Sequence, residues 1–192
     1  FGILEIGMDK KGEIDFLSKI SKPDVGVITN ISDAHIKNFK NIHQVALAKS
    51  EIINNIKTNG FLVLNQDDKF YNLHKKTAKK KKINILTFGL KNKSADIFLK
   101  KIVKEKSKYK IFINIKKKQT YFYIRSIFEN NLKNLLAAIT IILAKNQRVF
   151  LSSISFLSRA IITIVVVRLS SVADMKKVMK LKNIRTDCIK HV

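Results

Sequence analysis

Residues 25–64 read VGVITNISDAHIKNFKNIHQVALAKSEIINNIKTNGFLVL. The stretch opens on Val25-Gly26-Val27-Ile28-Thr29, an apolar run of the kind buried on both faces of a sheet. A polar loop follows. Ile42, Val45, Ala46, Ile52, Ile53 and Ile56 then recur along one stripe and predict an amphipathic helix over Ile42–Ile56, with Gly60 past its end. Phe61–Leu64 predicts a second strand. Strand, helix and strand in this order form a βαβ unit, which implies parallel pairing.

The rhythm extends both ways. Upstream, Phe1–Ile6 predicts a short strand, and Glu13–Ile20 predicts a helix stopped before Pro23. Downstream, Asp68–Lys80 predicts a polar helix and Ile83–Phe88 another strand. The fold class is therefore α/β, a mostly parallel sheet with flanking helices. Character changes at about 96–127. Asp96–Val103, Tyr109–Ile115 and Thr120–Ile127 are β-rich runs joined by Lys-rich turns and predict an antiparallel segment. Leu132–Ala144 predicts an apolar helix.

Residues 147–192 fit this plan poorly. Ala160–Val167 is an apolar run between Arg159 and Arg168. It is far short of the about 20 residues a membrane span needs and predicts a buried strand. All six glycines and the only proline, Pro23, lie in the first 89 residues. The punctuation of an α/β domain is thus confined to one part of the chain.

The chain has 192 residues, with 38 Lys+Arg against 14 Asp+Glu and a net charge of +24. Such a total first suggests nucleic acid or an anionic membrane. Lysine rather than arginine supplies nearly all of it, and a Lys/Ile/Asn excess is what AT-rich codon usage produces. Arginine is the residue that forked phosphate and base recognition favours. The charge is also uneven: residues 1–50 carry seven Lys against six acids, and the surplus rises afterwards. The lysine runs Lys79–Lys82 and Lys116–Lys118 read as solvated turns or helix ends. A hydrophobic content of 46% excludes wholesale disorder. The single cysteine, Cys188, excludes a disulfide framework and a Cys-based zinc site. No signal peptide is visible, so the expected compartment is the cytoplasm, with no membrane span.

Three polar residues stand where an α/β fold places its ligands, beyond the carboxyl ends of parallel strands. Glu5 closes the first strand. His35 lies past the end of the second. Lys49 interrupts the apolar stripe of the long helix. A lysine there must extend to solvent, pair, or lose its charge. The neutral amine is a nucleophile, and with carbon dioxide it gives a carbamate, an anionic oxygen ligand. Carboxylate, imidazole and carbamate together would suit magnesium and phosphate. From chemistry alone, Glu5 is equally a surface acid, His35 a loop histidine, and Lys49 a lysine reaching for solvent.

Several motifs occur in one order. Glu5-Ile6-Gly7-Met8 with Gly12-Glu13-Ile14, and Thr29-Asn30-Ile31 with Ala34-His35, resemble signatures of the Mur ligases. So do Ala48-Lys49-Ser50-Glu51-Ile52, Leu64-Asn65-Gln66-Asp67-Asp68, and Thr87-Phe88-Gly89 with Ala95-Asp96-Ile97. Asn130-Asn131-Leu132-Lys133-Asn134-Leu135-Leu136-Ala137-Ala138 is the last. The resemblance covers about residues 1–145. It implies the family's central ATP-binding domain, a P-loop-NTPase-like sheet, here without the first strand and phosphate loop. It implies ATP and Mg2+ as cofactors. Glu5 and His35 would contact the metal, as would Lys49 through its carbamate. Asn131 and Asn134 would hold adenine. It also implies an ATP-dependent amide ligase of peptidoglycan synthesis, acting through an acyl phosphate, with UDP-MurNAc-peptide and D-alanyl-D-alanine as partners.

The departures are equally specific. No phosphate loop precedes Glu5 in these residues. Asn130 replaces a usual His and Phe128 a usual Gly. The likeness stops after about Lys145. The expected organisation is a partial central domain at 1–146 and a divergent, possibly frame-shifted tail at 147–192, inactive as an isolated chain. A folylpolyglutamate-synthetase-like ligase and a basic nucleic-acid-binding module are the alternative readings.

Overall fold

A computed structural model of the chain describes residues 2–32 and 38–145, together with the backbone of 167–169. His35, Phe1 and nearly all of the tail, including residues 160–166 of the strand expected over Ala160–Val167, lie outside the described residues.

Strand β1 is Leu4–Ile6, followed by helix α1 (Glu13–Ser21) and strand β2 (Val25–Ile28). Helix α2 (Ile42–Ser50) runs into a 3-10 segment, Glu51–Asn55, before β3 (Phe61–Asn65). Helix α3 (Tyr71–Lys80) leads to β4 (Asn84–Gly89). Strands β5 (Ile97–Glu105), β6 (Lys108–Ile115) and β7 (Lys118–Ile124) precede α4 (Glu129–Lys145), and β8 is Val167–Leu169.

Six strands form one sheet in the order β2-β3-β4-β5-β6-β7. The first four pair in parallel, and β5-β6-β7 pair antiparallel. The α/β assignment and the antiparallel segment are both borne out. Strand β5 lies parallel to β4 without a helical crossover. Only Phe88↔Ile97 and Gly89↔Phe98 pair, so β5 starts where β4 ends and runs onward beyond it. A short loop can make that step, whereas a fully overlapped parallel pair needs a dozen residues or more.

Alternation along β3 explains the layers. Leu62 and Leu64 face one core with Val45, Ala46, Ala48 and Ile53, while Val63 faces another with Phe88, Leu136 and Ile139. The sheet thus carries α2 and α3 on one side and α4, which crosses β2, β3 and β4, on the other. Each fully buried leucine contributes about 1.5–3 kcal/mol relative to exposure. Gly60 permits the turn into β3: a β-carbon there would stand 2.7 Å from the Asp24 carbonyl oxygen and 2.8 Å from that of Lys57.

Three expectations need correction. The long helix stops at Ser50 and continues as a 3-10 segment. The Ser50 hydroxyl donates to the Leu47 carbonyl at 2.6 Å, a local bond that competes with the α-helical ladder. The helix expected from Asp68 starts at Tyr71, because Asp68 folds a turn: its carboxylate accepts from the Phe70 amide at 2.8 Å. Strand β1 stands outside the six-stranded sheet. Its three residues pair in parallel with Val167–Leu169, and so short a strand has few ladder bonds to share.

Candidate functional site

The aligned registers Ile28↔Leu64 and Leu64↔Thr87 bring the carboxyl ends of β2, β3 and β4 to one edge. Three connections leave there: the loop after β2, the turn after β3 and the loop after β4. Side chains from the turn after β3 tie all three together. The Asn65 side-chain amide donates to the Thr29 carbonyl at 3.2 Å, and the Asp68 carboxylate accepts from the Ile31 amide at 2.9 Å. Asp67 accepts from the amides of Leu90, Lys91 and Asn92 at 2.6, 3.0 and 2.8 Å. Asp96 then takes the amide and hydroxyl of Thr87, both at 2.8 Å.

Lys49 reaches this edge from the last turn of α2. It is half-buried, and its Nζ donates to the Asn30 carbonyl at 3.0 Å. Burial pushes its pKa below the usual lysine value, and the Asp68 carboxylate pulls the other way. Behind it His74, fully buried on α3, places Nε2 3.1 Å from the Ala46 carbonyl. Burial lowers the His74 pKa, against the Ala46 contact and the Asp68 charge. Neutral His74 donates to that carbonyl and ties α3 to α2.

A second set of clamps shapes the loop after β1. Gly12 sits at φ 92, a left-handed conformation that suits glycine. The Glu51 carboxylate receives the Gly12 amide at 2.9 and 3.0 Å and the Asp15 amide at 3.2 Å. It stands at the amino end of α1, where negative charge is favoured. Glu13 folds back onto the amides of Asp9 and Lys10 at 2.6 and 3.0 Å, and those bonds lower its pKa.

The expected residues are distributed as follows. Lys49 is at the edge, beside the loop that closes β2. Glu5 is exposed on β1. Asn131 and Asn134 are exposed on the first turns of α4, three apart and on one face. The charges of Lys91 and Asp67 act on Glu129, so this end of α4 faces the loop after β4. Tyr109, Arg125, Ser126, Ile127 and Phe128 line an open hollow of about 380 Å³ just before it. Among the described residues no three or more His, Cys, Asp or Glu side chains gather as a metal site. The sequence reading gave no role to Asn65, Asp67, Asp68 or Glu51. The available signal was chemical: Asn and Asp directly after a strand are turn-forming acceptors.

The lysine runs have local explanations. Lys79 and Lys80 end α3, where positive charge complements the helix dipole. Lys116 and Lys117 form the β6–β7 turn at φ 43 and 73. No helix among the described residues is long and apolar enough to cross a membrane.

Comparison with known proteins adds the following. The model of the Mur ligase middle domain matches residues 1–142. A UDP-N-acetylmuramoyl-tripeptide–D-alanyl-D-alanine ligase of Buchnera aphidicola (subsp. Baizongia pistaciae) is 32% identical over 146 residues, 76% of this chain and 31% of the relative. The protein of that name from Rickettsia prowazekii is 35% identical over 145 residues, 74% of this chain and 32% of its own. A crystal structure of MurF from Acinetobacter baumannii superposes with a TM-score of 0.65 at 29% identity, covering 72% of this chain and 30% of that one. MurF ligase from Thermotoga maritima, in complex with ADP, gives 0.63 at 25% identity, covering 72% and 31%. The chain spans about a third of the length of these relatives. Folylpolyglutamate synthetase of L. casei, at 15% identity and a TM-score of 0.55, shares the fold.

Proposed function

This chain belongs to the Mur ligase middle-domain family, and on that premise we propose that it is the central portion of a cytoplasmic ATP-dependent ligase joining D-alanyl-D-alanine to UDP-MurNAc-tripeptide. Residues 1–146 form that portion in this reading, and 147–192 are a divergent tail. The observation that carries the reading is Lys49: a half-buried lysine with a depressed pKa, at the carboxyl edge of the parallel strands, inside the family's motif.

The residues present suit the two cofactors unequally. Adenine would lie on Asn131 and Asn134, whose exposed side-chain amides offer both donor and acceptor atoms. Magnesium needs oxygen ligands, and Glu5 offers one. As an ammonium bound to the Asn30 carbonyl, Lys49 is no ligand. As a neutral amine its lone pair adds to the carbon of carbon dioxide, one N–H proton passes to water, and the carbamate oxygens become available. His35 completes the proposed metal set. In the reaction ATP supplies the phosphoryl group that activates the peptide carboxylate as an acyl phosphate, and an amine then displaces phosphate. The protein's part is positioning and charge neutralisation.

The test is made in a longer ligase that contains this segment. Lys49→Ala abolishes ligation, and a short carboxylic acid restores part of it. Unchanged ligation in Lys49→Ala removes Lys49 from the mechanism. Measurable ligation by the isolated 192-residue chain would show that the segment is more than a central portion.

A further inference from the structure

We propose that Asp68 is a positioning residue for Lys49, fixing the loop whose middle carbonyl holds the lysine without itself touching substrate. The inference rests on the reading of Lys49 given above and deepens it.

Three consecutive residues after β2 are each held through the backbone. Asn65 takes the Thr29 carbonyl, Lys49 takes the Asn30 carbonyl, and Asp68 takes the Ile31 amide. Asn65 and Asp68 belong to one turn: the Asp68 amide donates to the Asn65 carbonyl at 3.3 Å. The two props therefore flank the carbonyl that Lys49 uses. Asp68 is itself anchored, because its other carboxylate oxygen accepts from Phe70 and its carbonyl accepts from the Tyr71 amide at 3.0 Å. The carboxylate reaches Lys49 by charge and through the loop together.

Asp67 is the natural control. It is the adjacent residue, of the same chemistry, and its carboxylate accepts three backbone amides against two for Asp68, but it holds the loop after β4 instead. Replacing Asp68 by Asn keeps the size, removes the charge and leaves one acceptor oxygen where there were two.

The experiment uses the 192-residue chain. An amine-acylating reagent is followed at Lys49 by peptide mass spectrometry, and amide exchange is followed at Ile31. Asp68→Asn raises both rates about tenfold, the scale of one lost bond to a charged acceptor. Asp67→Asn leaves both within about twofold of the unmutated chain and loosens Leu90–Asn92 instead. Equal Lys49 labelling in Asp68→Asn and the unmutated chain overturns the proposal, and so does an equal rise in Asp67→Asn. If Asp68→Asn does not fold, the unmutated chain still decides. There the Ile31 amide exchanges at least about tenfold slower than an unstructured chain, and an unprotected Ile31 overturns the proposal. These readouts do not depend on ligation. Loss of the Lys49 role would appear only in the ligation assay, and loss of the Asp68 role only here.

Discussion

The carboxyl edge of β2-β3-β4 and the antiparallel extension β5-β6-β7 share one sheet but are built differently. At the edge, carboxylates of Asp67 and Asp68 collect loop amides and that of Asp96 takes the Thr87 amide on β4, across 9 to 37 residues of sequence. The extension is held by regular ladders and by lysines over aromatic rings. Lys110 lies 4.2 Å from the Tyr121 ring centre, 5.5 Å from Phe112 and 5.6 Å from Tyr123. Its turns place Lys106, Lys116 and Lys117 at positive φ, where glycine or asparagine is the usual choice. The edge must hold particular loops in particular places. The extension needs only to pair. That difference separates residues specified for a site from residues that satisfy a fold.

The comparison can be broken by substitution. Asp67→Ala has the largest expected effect, about 3 kcal/mol of stability, because three loop amides lose a charged acceptor together. Urea unfolding of the chain would show it, and a loss under about 0.5 kcal/mol would put the edge on a par with the extension. Glu51→Ala follows at about 2 kcal/mol, since it uncaps α1 and frees the Gly12 amide. The double change of Lys116→Asn and Lys117→Gly works the other way. It relieves left-handed strain in the β6–β7 turn and raises stability by about 1 kcal/mol, read as a higher melting temperature. Tyr121→Ala, on a half-exposed face, lowers stability by about 0.5–1 kcal/mol.

The last effect is confined to acid. Folding lowers the His74 pKa through burial, so the unfolded chain binds the proton more readily. The stability from neutral His74 is complete above its unfolded value of about 6.5 and is lost as pH falls from there through the folded value. The melting temperature therefore drops below about pH 6.5 in the unmutated chain, and His74→Gln flattens that limb. An equal acid limb in His74→Gln would move the effect to other groups.

Much of this was legible beforehand because periodicity reports burial. Val25–Ile28 and Phe61–Leu64 carry no polar side chain, being covered on both faces. Lys49 was conspicuous because it broke an apolar stripe. The glycine asymmetry has no matching outcome in the turns, since lysine takes left-handed positions on both sides of Gly89, at Lys22 and Lys82 as well as at Lys106, Lys116 and Lys117. What stayed hidden was long-range pairing. Nothing local shows that Glu51 caps a helix 36 residues earlier or that Asp68 holds Ile31. Nor does a three-residue strand announce its partner, so the place of β1 beside Val167–Leu169 could not be read.

The central claim is that Lys49 is the working lysine of this edge, and its carbamate is the most direct readout. Carbon-13 NMR of the chain in 13C-bicarbonate buffer with Mg2+ would show one protein carbamate resonance that disappears in Lys49→Met. Absence of that resonance, or its survival in Lys49→Met, would contradict the account.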